Sequence, residues 1–312
     1  MTKLVIDTDP GIDDAMAILY AAAHPGLDLI GLTTVFGNVP VATATRNALF
    51  LAELAGLAIP VAEGAAVPLV QPAAPHPAFI HGAEGFGDLP PVRPAGRADP
   101  RPAGQFLAET AAAHPGEVTV CAIGPLTNLA AALALDPTIA GNVDRVVVMG
   151  GAVACPGNVS DAAEANIGCD PHAAAAVFAA DWPVTLVGLD VTRQVTCTPG
   201  DFAGLARQAP VIGGFLDRAA QYYFRFYRRR RGVDGCHMHD PTAVIEITDP
   251  GLFETREAPL AVTLEGAAAG RTRIAPTGRA VRVCLGVDAT GVRTRFLEVT
   301  RKADACREAN AG

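Results

Sequence analysis

The fold and the function of this chain both depend on the stretch Asp7-Thr8-Asp9-Pro10-Gly11-Ile12-Asp13-Asp14, which places four carboxylates within eight residues. The apolar run Lys3-Leu4-Val5-Ile6 before it predicts a buried strand of a parallel sheet. Pro10-Gly11 indicates a turn, and apolar residues recur after it at the spacing of a helix. The carboxylates therefore lie where a strand passes into a helix, the position at which open α/β sheets bind ligands.

Four neighbouring carboxylates need a partner of opposite charge. A helix N-terminus stabilises an acid by only about 0.3–1 kcal/mol, and packed like charges raise one another's pKa. An all-oxygen cluster suits a hard cation such as Ca²⁺ or Mg²⁺. The alternative is a helix N-terminus that carries acidic residues without a ligand.

The spacing of this stretch distinguishes between several kinds of aspartate-rich loop. An EF-hand loop counted from Asp7 needs Gly and Glu where Ile12 and Ile18 stand. A phosphoryl-transfer aspartate loop normally has Thr or Val in place of Gly11, and a Gly-rich phosphate loop is absent here. The stretch instead resembles the N-terminal signature of the nucleoside hydrolases, Asp-x-Asp-Pro-Gly-x-Asp-Asp.

Composition limits the class of protein. Of 312 residues, 50% are hydrophobic and 18% are charged, which predicts a compact globular chain. The net charge of −8 argues against a nucleic-acid partner. We expect no membrane span and no signal peptide, because no apolar run approaches about 20 residues and a strand follows the first residues directly. The seven scattered cysteines indicate reduced thiols in a cytoplasmic protein, with Cys121 and Cys284 as core residues.

Strand-like and helix-like segments alternate along the rest of the chain. Buried strands are predicted at 29–36, 58–62, 118–123, 146–149 and 184–188, with helices between them. Strand-like pieces follow near 260–264, 271–274 and 281–287. No linker or repeat interrupts this order, so we predict an α/β fold in one domain, residues 1–312.

Three segments allow two interpretations from the residues alone. His81, in a proline-rich region, is either a surface histidine or part of a mobile flap. Tyr223 and Tyr227 either cover a nucleobase or pack in the core, and the run Arg228–Arg231 indicates a solvated helix end rather than a nucleic-acid surface. Asp240 precedes Pro241 and could simply cap a helix.

The resemblance to nucleoside hydrolases extends over most of the first 250 residues. It rests on motifs in the family's order: Asp7–Asp14, Gly37-Asn38, Gly124–Asn128, Met149–Gly151, Asn158–Asn166 and His239-Asp240. It implies an open, mostly parallel central sheet flanked by helices, a Rossmann-like nucleoside hydrolase fold. It also implies hydrolysis of the N-glycosidic bond of ribonucleosides to ribose and a free purine or pyrimidine base.

The same resemblance assigns roles to individual residues. It implies a Ca²⁺ held by Asp9, Asp14, Asp240 and the carbonyl of Thr127, with Asp9 taking a proton from a metal-bound water and His239 assisting the leaving base. Asp7 would support the cluster from behind, and Ala165 stands where an aromatic residue is common. The implied substrate-binding residues are Asp13, Asn38, His81, Met149, Asn158, Glu164 and Asn166.

Two other functions compete with this prediction. One is a calcium- and nucleoside-binding protein without turnover. Such a protein would be expected to lack a carboxylate such as Asp9, and all of the carboxylates are present here. The other is a different metal-dependent N-glycohydrolase, for example one acting on ADP-ribose, but no basic Gly-rich loop offers a diphosphate site. We expect the ribonucleoside hydrolase to assemble as a homodimer or homotetramer.

Overall fold

The computed structural model describes residues 1–310, and the predicted α/β architecture is confirmed. Within those residues eleven strands occur, labelled in chain order: β1 (Thr2–Thr8), β2 (Leu27–Thr34), β3 (Val61–Glu63), β4 (Val118–Ala122), β5 (Val143–Met149), β6 (Val184–Val187), β7 (Thr196–Cys197), β8 (Cys236–His237), β9 (Phe253–Val262), β10 (Thr272–Ile274) and β11 (Ala280–Val287).

Helices connect and flank these strands. Over the same residues they are α1 (Ile12–Ala23), α2 (Val41–Leu54), α3 (Ala78–His81), α4 (Ala103–Ala113), α5 (Thr127–Leu135), α6 (Ile139–Asn142), α7 (Ala165–Cys169), α8 (Pro171–Ala179), α9 (Leu189–Thr192), α10 (Pro199–Gln208), α11 (Ile212–Arg231), α12 (His239–Thr248), α13 (Ala289–Thr300) and α14 (Ala303–Asn310). Short 3₁₀ turns cover Pro250–Leu252 and Gly266–Ala268.

Nine of the described strands form one twisted sheet in the order β10-β9-β11-β6-β5-β4-β1-β2-β3. Strands β1 to β6 and β11 are parallel, whereas β9 and β10 are antiparallel. From β1 the chain moves outward through β2 to β3, and it then returns to β4 on the other side of β1. The order of strands therefore reverses between β1 and β4, which is where such sheets form a ligand crevice at their carboxyl ends.

Both faces of the sheet are buried, as a parallel sheet requires. Leu4 and Ile6 of β1 face a core formed with α1, α11 and α12, while Val5 between them faces the core formed with α4, α5 and α8. The alternation follows from the two-residue period of a strand. The carboxyl end of β1 is thereby held between two packed layers.

Several sequence-based boundaries were wrong or incomplete. Helix α12 begins at His239 with Met238 as its N-cap residue, so Asp240 lies in the first turn and is not the cap. Pro241 is tolerated there because the first turn leaves its N–H groups without helical partners. Helices α13 and α14 were not predicted, although Asp288 caps α13 by accepting from the Gly291 amide at 2.9 Å.

Two further features of the described chain bear on its class. None of its helices is both long enough and apolar enough to cross a membrane. All seven cysteines are free thiols, and Cys121 and Cys284 are fully buried, as predicted for core residues.

Candidate active site

A cavity of about 1030 Å³ opens at the carboxyl ends of the central strands. Its wall combines carboxylates, amides, histidines and aromatic rings from segments far apart in the chain. The sequence-predicted residues on this wall are Asp9, Asp13, Asn38, His81, Met149, Asn158, Glu164, Asn166, His239 and Asp240. A wide cavity with a few convergent polar groups is the usual form of a small-molecule site.

Asp14 organises the turn at the bottom of the cavity. Its Oδ1 accepts hydrogen bonds from Thr8 Oγ1 at 2.6 Å and from the Asp9 amide at 3.2 Å. Its Oδ2 accepts from the Gly11 amide at 2.9 Å and from Asn38 Nδ2 at 3.0 Å. Because Asp14 is the third residue of α1, its bond to Gly11 closes the start of the helix.

Asp9 lies beside this turn with one oxygen unpaired. The Asn38 amide donates to Oδ2 at 2.6 Å, whereas Oδ1 is buried without a hydrogen-bond partner. Two glycines lie against the carboxylate and leave room for it. A Cβ at Gly37 would overlap Asp9 Oδ2, and one at Gly124 would lie 2.8 Å from Oδ1. A buried, unpaired carboxylate oxygen is costly unless a cation or a proton satisfies it.

Asp13 and Asp240 complete the acidic cluster. One oxygen from each of Asp13, Asp14 and Asp240 lies within 4.8 Å of the others, a spacing that a single metal ion could bridge. The prediction grouped Asp9 with Asp14 and Asp240 and gave Asp13 to the substrate, whereas in the structure Asp13 also lies within this distance of Asp14 and Asp240. Its Oδ2 accepts from Tyr223 Oη at 3.2 Å, and its Oδ1 has no partner.

Burial and mutual repulsion shift the pKa values of this cluster upward. Burial, and then the charges of Asp14 and Asp13, raise the pKa of Asp9 well above its usual range. Burial and the charge of Asp14 raise the pKa of Asp13 to about 8. The pKa of Asp240 is also raised well above normal, by burial and then by Asp13, Asp14 and Asp9. The chain alone does not stabilise these four charges, so the donor set fits a hard divalent cation.

Asp7 is set apart from the other acids. Its Oδ1 accepts from Thr33 Oγ1 at 2.6 Å and Asn128 Nδ2 at 2.7 Å, and it does not line the cavity. Burial raises the pKa of Asp7 to about 7, although these two hydrogen bonds lower it. Asp7 thus connects β1 to β2 and α5 beneath the cluster, consistent with a supporting role.

His81 is buried, so it is not a surface histidine, and its place in a mobile flap stays a prediction. Its Nδ1 accepts a hydrogen bond from the Ile12 amide at 3.2 Å, at the start of α1. Burial lowers the pKa of His81 to about 3. The ring is therefore neutral, and its 3.8 Å approach to Asp13 Oδ1 is not an ion pair. Gly11 permits this contact, because a Cβ there would lie 2.5 Å from His81 Nδ1.

Thr127 does not occupy the position predicted for a metal ligand. It lies in the first turn of α5, where a carbonyl points along the helix toward its C-terminus, away from the strand ends. Its hydroxyl donates to Asp170 Oδ2 at 2.8 Å. Ile123, directly after β4, does line the cavity, and its carbonyl accepts a hydrogen bond from Asn166 Nδ2 at 2.9 Å. The prediction missed Ile123, although its position at the end of a central strand was the available signal.

The proposed ribose residues lie on the loop and helix that follow β5. Asn166 Nδ2 donates to the Ile123 carbonyl at 2.9 Å and the Met149 carbonyl at 3.1 Å, which joins the ends of β4 and β5. Glu164 accepts from three backbone amides, of Gly151, Asn166 and Ile167, at 2.9–3.1 Å. Asn158 Oδ1 accepts from the Ala165 amide at 2.9 Å, which leaves its NH₂ group for other partners.

His239 is held at both ring nitrogens. Thr192 Oγ1 lies 2.8 Å from Nδ1, and Tyr227 Oη lies 3.0 Å from Nε2. Tyr227 donates toward Tyr223, which donates to Asp13, so we assign the His239 proton to Nε2 and the Thr192 hydroxyl as donor to Nδ1. Burial and the neighbouring charges of His237 and Arg193 lower the pKa of His239 well below 6.5. Its ring is therefore a neutral donor rather than a group that titrates near neutrality.

The aromatic and basic residues of α11 serve different ends of the cavity. Tyr223 and Tyr227 are buried and also line the cavity wall. They therefore pack in the core and are placed to contact a ligand as well. The arginine run is solvent-exposed, as predicted, and Arg228 pairs with Asp234 at 2.6 Å. Arg230 and Arg231, however, also line the mouth of the cavity.

Comparison with known proteins agrees with this geometry. The family model described as inosine-uridine preferring nucleoside hydrolase matches residues 4–294. Uridine nucleosidase 1 of Arabidopsis thaliana is 41% identical over 271 residues, which cover 86% of this chain and 81% of that protein. The inosine-uridine preferring nucleoside hydrolase of Crithidia fasciculata is 38% identical over 269 residues, 85% of this chain and 84% of that protein.

Solved structures give the same result. A plant nucleoside hydrolase, the PpNRh1 enzyme, superposes with a TM-score of 0.93 at 38% identity, over 96% of this chain and 98% of that one. A purine-preferring ribonucleoside hydrolase from Gardnerella vaginalis also reaches 0.93, at 33% identity, over 97% and 99%. The fold and site define an enzyme that hydrolyses N-glycosidic bonds. The chain belongs to the inosine-uridine preferring nucleoside hydrolase family, and its reaction is hydrolysis of ribonucleosides to ribose and base.

Proposed function

We propose that this enzyme depends on a divalent cation, Ca²⁺, and uses Asp9 as the general base that activates water. The observation that supports this is the unpaired, buried Oδ1 of Asp9 beside three further carboxylates whose charges the chain does not neutralise. Asp9, Asp14, Asp240 and the carbonyl of Ile123, in place of Thr127, would hold the ion. When bound, the cation would neutralise the cluster and lower the pKa of water in the cavity.

Asp9 suits the base role because of how it is held. The Asn38 amide fixes Oδ2, so the free oxygen Oδ1 keeps one orientation in which it can accept a proton. Cleavage of the N-glycosidic bond develops positive charge on the ribose, as in other glycoside hydrolyses. Asp13, with its own unpaired Oδ1, would stabilise that charge or accept a bond from a ribose hydroxyl.

The remaining cavity residues would bind the two halves of the substrate. Asn38, Met149, Asn158, Glu164 and Asn166 would contact the ribose, while His81 and His239 would lie on the side of the base. His239, whose Nε2–H we assign to a hydrogen bond with Tyr227 Oη, would redirect that hydrogen bond to the departing base. The names of these relatives, uridine nucleosidase and inosine-uridine preferring nucleoside hydrolase, support uridine and inosine as substrates.

A nucleoside panel tests this proposal. Purified protein is incubated with uridine, cytidine, inosine, adenosine and guanosine, and free ribose is measured with and without EDTA. We expect ribose from uridine or inosine, loss of turnover in EDTA, and recovery with Ca²⁺. Metal analysis should find about one calcium per chain. Nucleoside binding without ribose release would instead identify a binding protein, and release of ribose unaffected by EDTA would refute the role of the cation.

Two expectations concern the protein outside its site. We propose a cytoplasmic location and assembly into a homodimer or homotetramer. Cell fractionation and light scattering coupled to size-exclusion chromatography test them, and a monomeric mass would refute the second.

A further inference from the structure

The loop between β5 and α7 has unusual backbone hydrogen bonding. Residues 156–163, here called the 156–163 loop, contain neither helix nor strand. Its amides turn inward: those of Asn158 and Val159 donate to the Ala163 carbonyl at 3.1 and 3.3 Å, and that of Gly157 donates to the Asp161 carbonyl at 3.2 Å. The carbonyls at the start of the loop therefore need partners from elsewhere in the protein or from water.

Two arginines supply those partners. Arg193 donates from Nη1 to the Pro156 carbonyl at 2.7 Å and from Nη2 to the Gly157 carbonyl at 2.6 Å. Arg231 Nη2 donates to the Asn158 carbonyl at 3.2 Å. Three successive carbonyls are thus bound by two guanidinium groups. The planar fork of arginine suits adjacent acceptors in a way that the single ammonium of lysine does not.

The two arginines come from separate elements. Arg193 directly follows α9, the short helix after β6, and Arg231 is the last residue of α11. Within residues 1–310 neither forms an ion pair, whereas Arg228, also in the last turn of α11, pairs with Asp234. The loop is therefore fastened to two elements that also carry site residues. Thr192 beside Arg193 contacts His239, and Tyr227 is one turn before Arg231.

We propose that Arg193 and Arg231 are positioning residues that hold the 156–163 loop so that Asn158 faces the ribose. This inference rests on the proposed ribose role of Asn158. Asn158 lines the cavity, and it is fixed at its carbonyl by Arg231 and at its side-chain oxygen by the Ala165 amide, which leaves its NH₂ group available for a ligand. Neither arginine needs to touch the reacting atoms for this effect.

Hydrogen exchange tests the physical part of the proposal without any substrate. The variant Arg193→Gln keeps a polar side chain but loses the two-pronged donor. We expect faster exchange of the amides of residues 157–160 in this variant, with exchange in the central sheet unchanged. The matched control is Arg229→Gln, which removes the same charge from an exposed position on α11 outside the cavity. It should leave the loop's exchange as in the parent.

Steady-state kinetics test the functional part. Arg193→Gln should lower kcat/KM for uridine or inosine by about 10- to 100-fold, mostly through KM, because misplaced binding groups can cost that much. Arg193→Lys keeps the charge but has only one donor nitrogen, so it should recover part of the lost kcat/KM. In a double-mutant cycle, Arg193→Gln should have little further effect once Asn158→Ala is present, because residues that act through each other are not additive.

The outcomes distinguish the positioning role of Arg193 from the proposed ribose role of Asn158. Local loosening, a raised KM and non-additivity together support the positioning role. Unchanged exchange in Arg193→Gln overturns it, as does full additivity with Asn158→Ala. If Asn158→Ala itself keeps a normal KM, the ribose role in the proposed function is refuted and the positioning role falls with it, while the exchange data still report on the contacts of Arg193.

Discussion

The charge of Asp7 should make the cation-free enzyme less stable as pH rises, and the variant Asp7→Asn isolates this effect. Asp7 is fully buried, and both of its hydrogen bonds are accepted by Oδ1, while Oδ2 has no partner. Asparagine keeps the shape and the accepting oxygen but removes the charge. Asp7 does not line the cavity, so the substitution leaves the cavity wall intact.

The sign and size of the effect follow from the pKa. Burial raises the pKa of Asp7 from 3.8 in the unfolded chain to about 7 in the folded chain. Between these values the folded chain holds a proton that the unfolded chain has lost, so the free energy of unfolding falls as pH rises through this window. A difference of about 3 pKa units corresponds to roughly 4 kcal/mol. The variant Asp7→Asn has no carboxyl group at this position, so its free energy of unfolding lacks this pH-dependent contribution.

Urea unfolding in EDTA measures the difference. We expect the free energy of unfolding of the parent, relative to Asp7→Asn, to fall by roughly 4 kcal/mol between pH 4 and pH 8. Well below pH 3.8 both proteins should respond alike, because Asp7 is then protonated in both states of the parent. A parent–variant difference that stays constant over this range, or that grows in favour of the parent, would refute the buried, unpaired charge of Asp7.

Four further predictions concern the site itself. Added Ca²⁺ should raise the melting temperature more at pH 8 than at pH 5. The pKa values of the acidic cluster are raised, so protons compete with the ion at low pH. An equal rise in melting temperature at the two pH values would contradict this. Asp9→Asn, checked for metal content, should lose about 10²–10⁴-fold in kcat, and a metal-replete variant with near-normal kcat would exclude Asp9 as the base. His239→Ala should slow inosine hydrolysis but barely affect a nitrophenyl riboside, whose anion leaves unaided; equal slowing of both would exclude a role at the leaving group. Gly37→Ala should lower kcat/KM by more than about tenfold by displacing Asp9, whereas Gly141→Ala, with open space at its Cβ, should not, and parent-like activity in the first variant would contradict the proposed crowding.

Local interactions explain why so much could be read from the chain itself. The run of apolar residues before Asp7, the turn at Pro10-Gly11 and the helical spacing after Ile12 are all short-range patterns, and β1 and α1 form where they predict. The alternation of strands and helices likewise determined the α/β class. The order of motifs such as His239-Asp240 indicated the family, and most of the named residues do line one cavity.

Contacts between distant segments decided the rest. Thr127 and Ile123 are four residues apart, and only the folded structure determines that Ile123 rather than Thr127 lines the cavity. The neutral state of His81 depends on the Ile12 amide, 69 positions away, and on burial by other elements. The guanidinium of Arg193 finds its carbonyls 36 and 37 positions earlier in the chain. Sequence patterns express local geometry, whereas burial and the choice of hydrogen-bond partner arise only when the layers of the fold have packed together.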